Sequence, residues 1–294
     1  MSDALYEGSI AALAPTVSAL FGVPAPTVSM EKPLRSVLEY AAGQFDGGGI
    51  TRCLIYCPDA LGNHLWSQFP ENRARITRCC PHRVTVSAML PPKTPVCFAS
   101  AFTGAAPEIH GIRRYERPVL ACDTLFDALS RAGRRVAIVA VRDSSIDLIF
   151  RNRSVDYFSE EYDSEVSTRA LSLIAADAHE VVVVYHQEYD DELHRTQPFS
   201  PGAIRAMQNH VASVEMLAKA VRSSWSKHAS AMVVAPDHGA HVDPDTGRGD
   251  HGLDIEEDVS VSHWYGVFGP SRQKASPTDY LEVGTRANGG VSFR

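Results

Sequence analysis

The chain has 294 residues, 44% of them hydrophobic and 21% charged, with a formal net charge of −7. This composition is that of a globular protein, and the length allows one large α/β domain or two small ones. The acidic balance excludes a general nucleic-acid-coating role, and no apolar run reaches the ~18 residues of a membrane-spanning helix.

The N-terminus lacks a basic start followed by an uninterrupted apolar core, so no signal peptide is read. The six cysteines, at 53, 57, 79, 80, 97 and 122, show no disulfide spacing; reduced thiols in a cytoplasmic protein are expected. Residues 8–21 carry apolar positions at helical spacing and end at Gly22. A second helix is predicted over 33–43, closed by a turn at Gly47-Gly48-Gly49. Arg52–Cys57 is a nearly continuous apolar run, the mark of a buried strand, and it ends at Pro58-Asp59. A helix is predicted over 64–76 and a strand over Val84–Met89. A capped helix starts near Asp123-Thr124 and ends at Gly133, followed by a buried strand at Val136–Val141. Residues 147–158 suggest an edge pair and 162–176 a helix. Val181–Tyr185 is the third buried strand, 202–222 a long amphipathic helix, Ala231–Ala235 the fourth strand and Trp264–Phe268 the fifth. The alternation predicts an α/β fold, a mostly parallel central sheet with helices on both faces, as a single domain over 1–294 whose last segment, 271–294, is an irregular tail.

Residues 90–112 form the block that the rest serves. Thr94 is expected at a helix N-cap with Pro95 at the first helical position, the apolar run Val96–Phe102 continuing the helix and Thr103-Gly104 ending it. A hydroxyl there meets the positive end of the dipole and free N–H groups, which suits an alkoxide or a bound phosphate. Alone, Thr94 reads as no more than a cap.

In parallel sheets ligands lie beyond the carboxyl ends of the strands. Asp59 follows the first strand, Asp190-Asp191-Glu192-Leu193-His194 the third, Asp237-His238-Gly239 the fourth, and Gly249-Asp250-His251-Gly252 precedes the fifth. Each alone reads as a turn residue or a surface histidine; their recurrence at one end of the sheet points to a site. Asp190 and His194, four apart, share a helix face. Carboxylate oxygen with imidazole nitrogen suits Zn²⁺, with Mn²⁺ or Fe²⁺ as alternatives. Six such ligands plus Thr94 are enough for two ions, which can hold the attacking and leaving oxygens of an in-line displacement at phosphorus.

These residues resemble the alkaline phosphatase superfamily, and most closely its type I phosphodiesterase/nucleotide pyrophosphatase branch. KTPVCFASAFTGAAPEIHGI (93–112) is similar to the nucleophile block, with Gly104 ten residues after Thr94 and then Pro-Glu-x-His-Gly-Ile. Asp190-x-x-x-His194 matches the Asp-x-x-x-His pair, APDHG (235–239) the Ser-Asp-His-Gly block with Pro236 for Ser, and GDHG (249–252) the final His-Gly. The resemblance implies one zinc on Asp190, His194 and His251 and a second on Asp59, Asp237, His238 and the Thr94 oxygen. It implies that Thr94 attacks phosphorus and forms a phospho-threonine intermediate. It makes His110 structural, and the chain lacks room for a large inserted cap, so a small cap or none is expected. His241 and Asp243, between two ligand blocks, are candidates to support the ligands.

Two departures bear on function. Where the branch carries an Asn twenty-one residues after the nucleophile, this chain has Tyr115, preceded by Arg113 and Arg114. A phenol or guanidinium there could bind substrate, and arginine would favour a monoester dianion. Ile10–Gly22 resembles a helix that relatives carry after their last metal histidine, and it is expected to pack near Trp264–Phe268. The expected activity is therefore metal-dependent phosphoester hydrolysis of a small phosphorylated substrate, a nucleotide among the candidates. A phosphodiesterase is the first reading and a phosphomonoesterase the second. A non-catalytic binder of phosphorylated ligands and a phosphoryl transferase are the alternatives of other classes.

Overall fold

The computed structural model describes residues 6–44 and 49–270. Most of the expected Gly47-Gly48-Gly49 turn, and the 271–294 tail, lie outside them. In chain order the elements are β1 (Gly8–Ser9), a 3-10 turn, α1 (Leu13–Phe21), α2 (Arg35–Ala42), β2 (Arg52–Pro58), α3 (Asn63–Gln68), α4 (Pro70–Cys79), β3 (His82–Ser87), α5 (Thr94–Thr103) and α6 (Pro107–His110). They continue with α7 (Leu125–Arg131), β4 (Val136–Val141), α8 (Ser145–Ile149), β5 (Asp156–Glu160), α9 (Asp163–Ala176), β6 (Val181–His186), α10 (Glu188–Arg195) and α11 (Pro201–Ser224). The last are β7 (Ser230–Val234), β8 (His241–Val242), β9 (Gly249–Asp250), α12 (Glu256–Val259) and β10 (Ser260–Phe268).

Eight strands form one sheet in the order β1-β3-β10-β7-β2-β6-β4-β5, and β8-β9 form a separate ribbon. The apolar runs are continuous because both faces are covered. Cys53, Ile55 and Cys57 face one core with Val183, Val233 and residues of α1, α5 and α7. Leu54 and Tyr56 face the other with Val182, Val184, Met232 and residues of α4, α9 and α11. This is the two-residue period of a strand buried on both sides. Phe102 of α5 packs on Phe126 (ring centroids 4.8 Å) and Phe150 (5.3 Å), which fixes the helix that begins at Thr94.

The sheet is mostly parallel, as expected, with one exception. β10 is longer than the predicted Trp264–Phe268 strand and runs antiparallel between β3 and β7. The single helix expected over 64–76 is two: Pro70 has no N–H to donate and forces Phe69 out of helical geometry (φ −126°, ψ 63°). The edge pair expected over 147–158 is α8 followed by β5, because Ser144 caps a helix by accepting from the Asp147 N–H. Thr94 is the first residue of α5 rather than its cap, and Lys93 is the cap. α1 contributes Val17 and Phe21 to the same core as Tyr265 and Val267 of β10.

β2, β6 and β7 lie side by side and parallel, so their carboxyl ends point the same way. Asp59, α10 and Asp237 all emerge there.

Candidate metal centre and nucleophile

The sheet brings the motif residues together in two adjoining groups. Asp59, Asp237 and His238 offer ligand atoms within 4.8 Å of one another, and so do Asp190, His194 and His251. The His238 and His251 rings stack with centroids 3.9 Å apart, which joins the groups. Thr94 is buried at the start of α5, its Oγ1 3.3 Å from His238 Nε2.

Local chemistry aims each ligand. His238, His194 and His251 donate from Nδ1 to the carbonyls of Gly239 (3.0 Å), Gly249 (3.0 Å) and Pro92 (2.8 Å). A carbonyl only accepts, so the proton sits on Nδ1 and all three Nε2 atoms present bare lone pairs to the centre. The Nε2 atoms of His194 and His251 are 3.1 Å apart, so when both rings are neutral their lone pairs face each other. The carboxylates follow the same plan. Asp59 accepts from the Tyr185 hydroxyl through Oδ2, and Asp237 from the Ala60 N–H through Oδ1 (3.2 Å). Asp59 Oδ1, Asp237 Oδ2 and Asp190 Oδ1 are buried with no hydrogen-bond partner.

Three orphaned carboxylate oxygens and three bare imidazole nitrogens facing one another repel unless positive charge lies among them. Burial, and then the charges of Asp237 and Asp190, hold the Asp59 carboxyl well above its ordinary range. Burial raises Asp237 as well, and pushes His238 well below the usual imidazole range. Asp190 is the exception: burial raises its carboxyl, but the positive charge that His194 and His251 carry when protonated holds it low, a place that a bound cation would take. The donor set fits divalent ions of the zinc type, one in each group.

Of the residues that support the ligands, Asp258 gave no signal in the sequence. Asp258, fully buried, accepts from the N–H groups of Gly252 (2.8 Å) and Leu253 (2.9 Å) and from His241 Nδ1 (2.8 Å), while its own carbonyl accepts from the Gly239 N–H (2.8 Å). It thus ties the loop after His251 to the loop after His238. Gly239 fits because a Cβ there would lie 2.0 Å from the Glu257 carbonyl oxygen. Lys93 bonds to the His251 carbonyl and pairs with Asp250 (3.4 Å), holding the GDHG loop on the start of α5. His241 supports through Asp258, whereas Asp243 builds the β8–β9 turn by accepting from Asp245 and Thr246. His110 bonds to Ser100 (2.8 Å) in the core and is structural.

The three residues assigned to substrate are not drawn into this network. Tyr115 is 60% exposed, Arg114 pairs with Glu116 (3.1 Å), and Arg113 reaches the Glu108 carbonyl.

His263 of β10 braces the turn before Asp237 by donating from Nε2 to the Pro236 carbonyl (3.1 Å), and burial lowers its pKa to about 4. The folded state therefore refuses a proton that the unfolded chain accepts below about pH 6.5. This contribution to stability is complete above that pH and is lost as the pH falls toward 4. Against His263→Gln, urea unfolding of the wild type is expected to lose relative stability by about 1.4 kcal/mol per pH unit over that window. Parallel pH profiles for the two proteins would exclude a neutral buried His263.

The family model for type I phosphodiesterase/nucleotide pyrophosphatase matches residues 71–267. No curated protein matches the chain by sequence. Human ectonucleotide pyrophosphatase/phosphodiesterase 5 is similar in structure, with a TM-score of 0.52 and 14% identity over 64% of this chain and 57% of that one. The murine protein of the same name, an inactive threonine-to-alanine variant in complex with AMP, gives a TM-score of 0.52 and 17% identity over 65% and 57%. The chain therefore spans 57% of the length of these relatives, and at such identities the likeness is one of fold. The matched region covers more than half of the chain and contains every candidate ligand except Asp59. The chain belongs to the type I phosphodiesterase/nucleotide pyrophosphatase family.

Proposed function

We propose that the protein hydrolyses phosphodiesters, nucleotides among them, through Thr94 and two divalent ions, zinc before manganese. The observation that carries this reading is the convergence of six bare ligand atoms beside the Thr94 hydroxyl: one oxygen each from Asp59, Asp190 and Asp237, and Nε2 of His194, His238 and His251. Asp59, Asp237 and His238 would hold one ion and Asp190, His194 and His251 the other. When bound, the ions would acidify the Thr94 hydroxyl and neutralise charge on the phosphoryl oxygens.

The chain supplies the rest. α5, held by Phe102 on Phe126 and Phe150, aims the Thr94 oxygen and the free N–H groups of its first turn at the phosphate. Thr94 Oγ1 forms a bond to phosphorus as the bond to one ester oxygen breaks, the hydroxyl proton passing to the departing alcohol; water then cleaves the phospho-threonine, which still carries the second ester group, releasing a phosphomonoester and restoring the Thr94 hydroxyl. Lys93 and the carbonyls of Pro92, Gly239 and Gly249 keep the ligands in register. The nearby cations are engaged elsewhere: Lys93 with Asp250 and His251, Arg114 with Glu116. A singly charged diester needs less of them than a monoester dianion. The AMP complex of the murine relative is in keeping with a nucleotide substrate. We assign this activity to residues 1–294 as one catalytic unit.

Zinc-loaded protein near pH 8 is expected to hydrolyse bis-p-nitrophenyl phosphate about 100-fold faster than p-nitrophenyl phosphate, about 2.7 kcal/mol at the transition state. The reverse preference would replace the diesterase reading by a phosphatase one. Chelation is expected to abolish turnover and to lower Tm by on the order of 5–10 °C, since ions saturating the site stabilise by several kcal/mol. Zinc should restore both. Turnover that survives removal of all metal would sink the two-metal reading.

A further inference from the structure

A cluster away from this centre has the ligand types of a third ion. Asp163 at the start of α9, His186 at the end of β6 and His210 in α11 bring one donor atom each within 4.8 Å of one another, all three buried. Its hydrogen bonds give it a different task. Asp163 accepts from the N–H of Gln187 through Oδ1 and from that of Glu188 through Oδ2, both at 3.0 Å. His210 Nε2 accepts from the N–H of Tyr189 (3.1 Å). These are the first backbone donors of α10, which an isolated helix leaves unpaired. The Gln187 side chain does not cap the helix.

The proton order follows. A backbone N–H only donates, so His210 Nε2 is bare and its proton sits on Nδ1, 2.9 Å from the Tyr56 hydroxyl. Tyr56 then donates to His186 Nδ1 (3.0 Å), and His186 keeps its proton on Nε2, facing Ser167 (3.2 Å). Every imidazole nitrogen and both carboxylate oxygens are used. The metal centre is the opposite case, with its inward donors bare. An ion entering this cluster would have to break the bonds that hold α10.

We propose that Asp163 and His210 are positioning residues for half of the metal centre: from α9 and α11 they cap α10 and fix the register at which Asp190 and His194 face His251. The proposal rests on the two-metal reading for its consequence, but the cap itself does not depend on metal. Asp190 lies in the first turn of α10, the turn these bonds hold, so losing them frays the helix at the ligand.

Two measurements on the full chain test this with Asp163→Ala, the conservative Asp163→Asn, and Val166→Ala as a control in the core beneath the same helix. Amide hydrogen exchange, run without metal, should be at least about 10-fold faster at residues 187 and 188 in Asp163→Ala. Zinc titration against a competing chelator should find one of two ions weakened about 10- to 100-fold and the other unchanged. Asp163→Asn, which keeps one acceptor, should fall between, and Val166→Ala should lower global stability without either local effect. Unchanged exchange at 187 and 188, or equal weakening of both ions, would overturn the proposal. So would a third zinc ion in the wild type that Asp163→Ala loses. A wild type that takes up no zinc would refute the two-metal reading alone, and the exchange data would still decide the cap.

Discussion

Thr94→Ala is expected to lower kcat on a diester substrate by at least about 10³-fold while the protein keeps both ions and its fold. The buried hydroxyl lies 3.3 Å from His238 Nε2, and removing it would take the proposed nucleophile out of a site whose other parts remain. The fold should persist because Thr94 opens α5 without capping it: Lys93 holds the cap position and Pro95 pre-sets the first turn. The loss should therefore appear in kcat, with zinc content and Tm near those of the wild type. Thr94→Ser keeps the oxygen and is expected to stay within about 10-fold. The two variants together separate nucleophile from scaffold. Near-normal turnover in the alanine variant would mean that water attacks phosphorus directly and that Thr94 serves only to bind.

The centre was legible because parallel strands buried on both faces write continuous apolar runs, and the chemistry follows their carboxyl ends. Arg52–Cys57 leads to Asp59, Val181–Tyr185 to Asp190 and His194, and Ala231–Ala235 to Asp237 and His238. Helical spacing alone put Asp190 and His194 on one face of α10. The same reading could not give strand direction: β10 carries the apolar pattern of its neighbours and is antiparallel because its connection from β9 enters from the other end. The supporting residues were hidden for a different reason. Asp258 closes the acidic run Asp254–Asp258, which reads as a solvated face, and its burial depends on donors six and nineteen residues away. Asp163 and His210 cap a helix that neither belongs to. Tyr185 looked like one more strand residue, although its hydroxyl holds Asp59. Such roles depend on what the fold brings near, and a local pattern contains nothing of it. Arg113 and Arg114 are a different case: their charge suggested a phosphate clamp, and in the structure Arg113 reaches the Glu108 carbonyl and Arg114 pairs with Glu116.

Asp258→Ala is the variant outside the ligand set from which the second large effect is expected. Its buried carboxylate satisfies two backbone N–H groups and one imidazole, each bond half-buried, and a donor abandoned away from water costs about 1–3 kcal/mol. The sum, allowing for partial relaxation, is a loss of about 3–5 kcal/mol in urea unfolding. The loss should not be uniform across the centre. Gly252 and Leu253 follow His251, whereas Gly239 is held by the Asp258 backbone carbonyl, which the substitution leaves in place. The ion on Asp190, His194 and His251 should therefore weaken more than the ion on Asp59, Asp237 and His238. Asp258→Asn keeps an oxygen for the two N–H groups but turns an amide donor toward His241 Nδ1, so His241 must move its proton to Nε2. That variant should retain most of the stability and regain turnover at raised zinc. The alanine variant should regain less, because its His251 loop is no longer held. If both ions weaken equally in Asp258→Ala, or if zinc restores the two variants alike, Asp258 supports the fold and not the loop that aims His251.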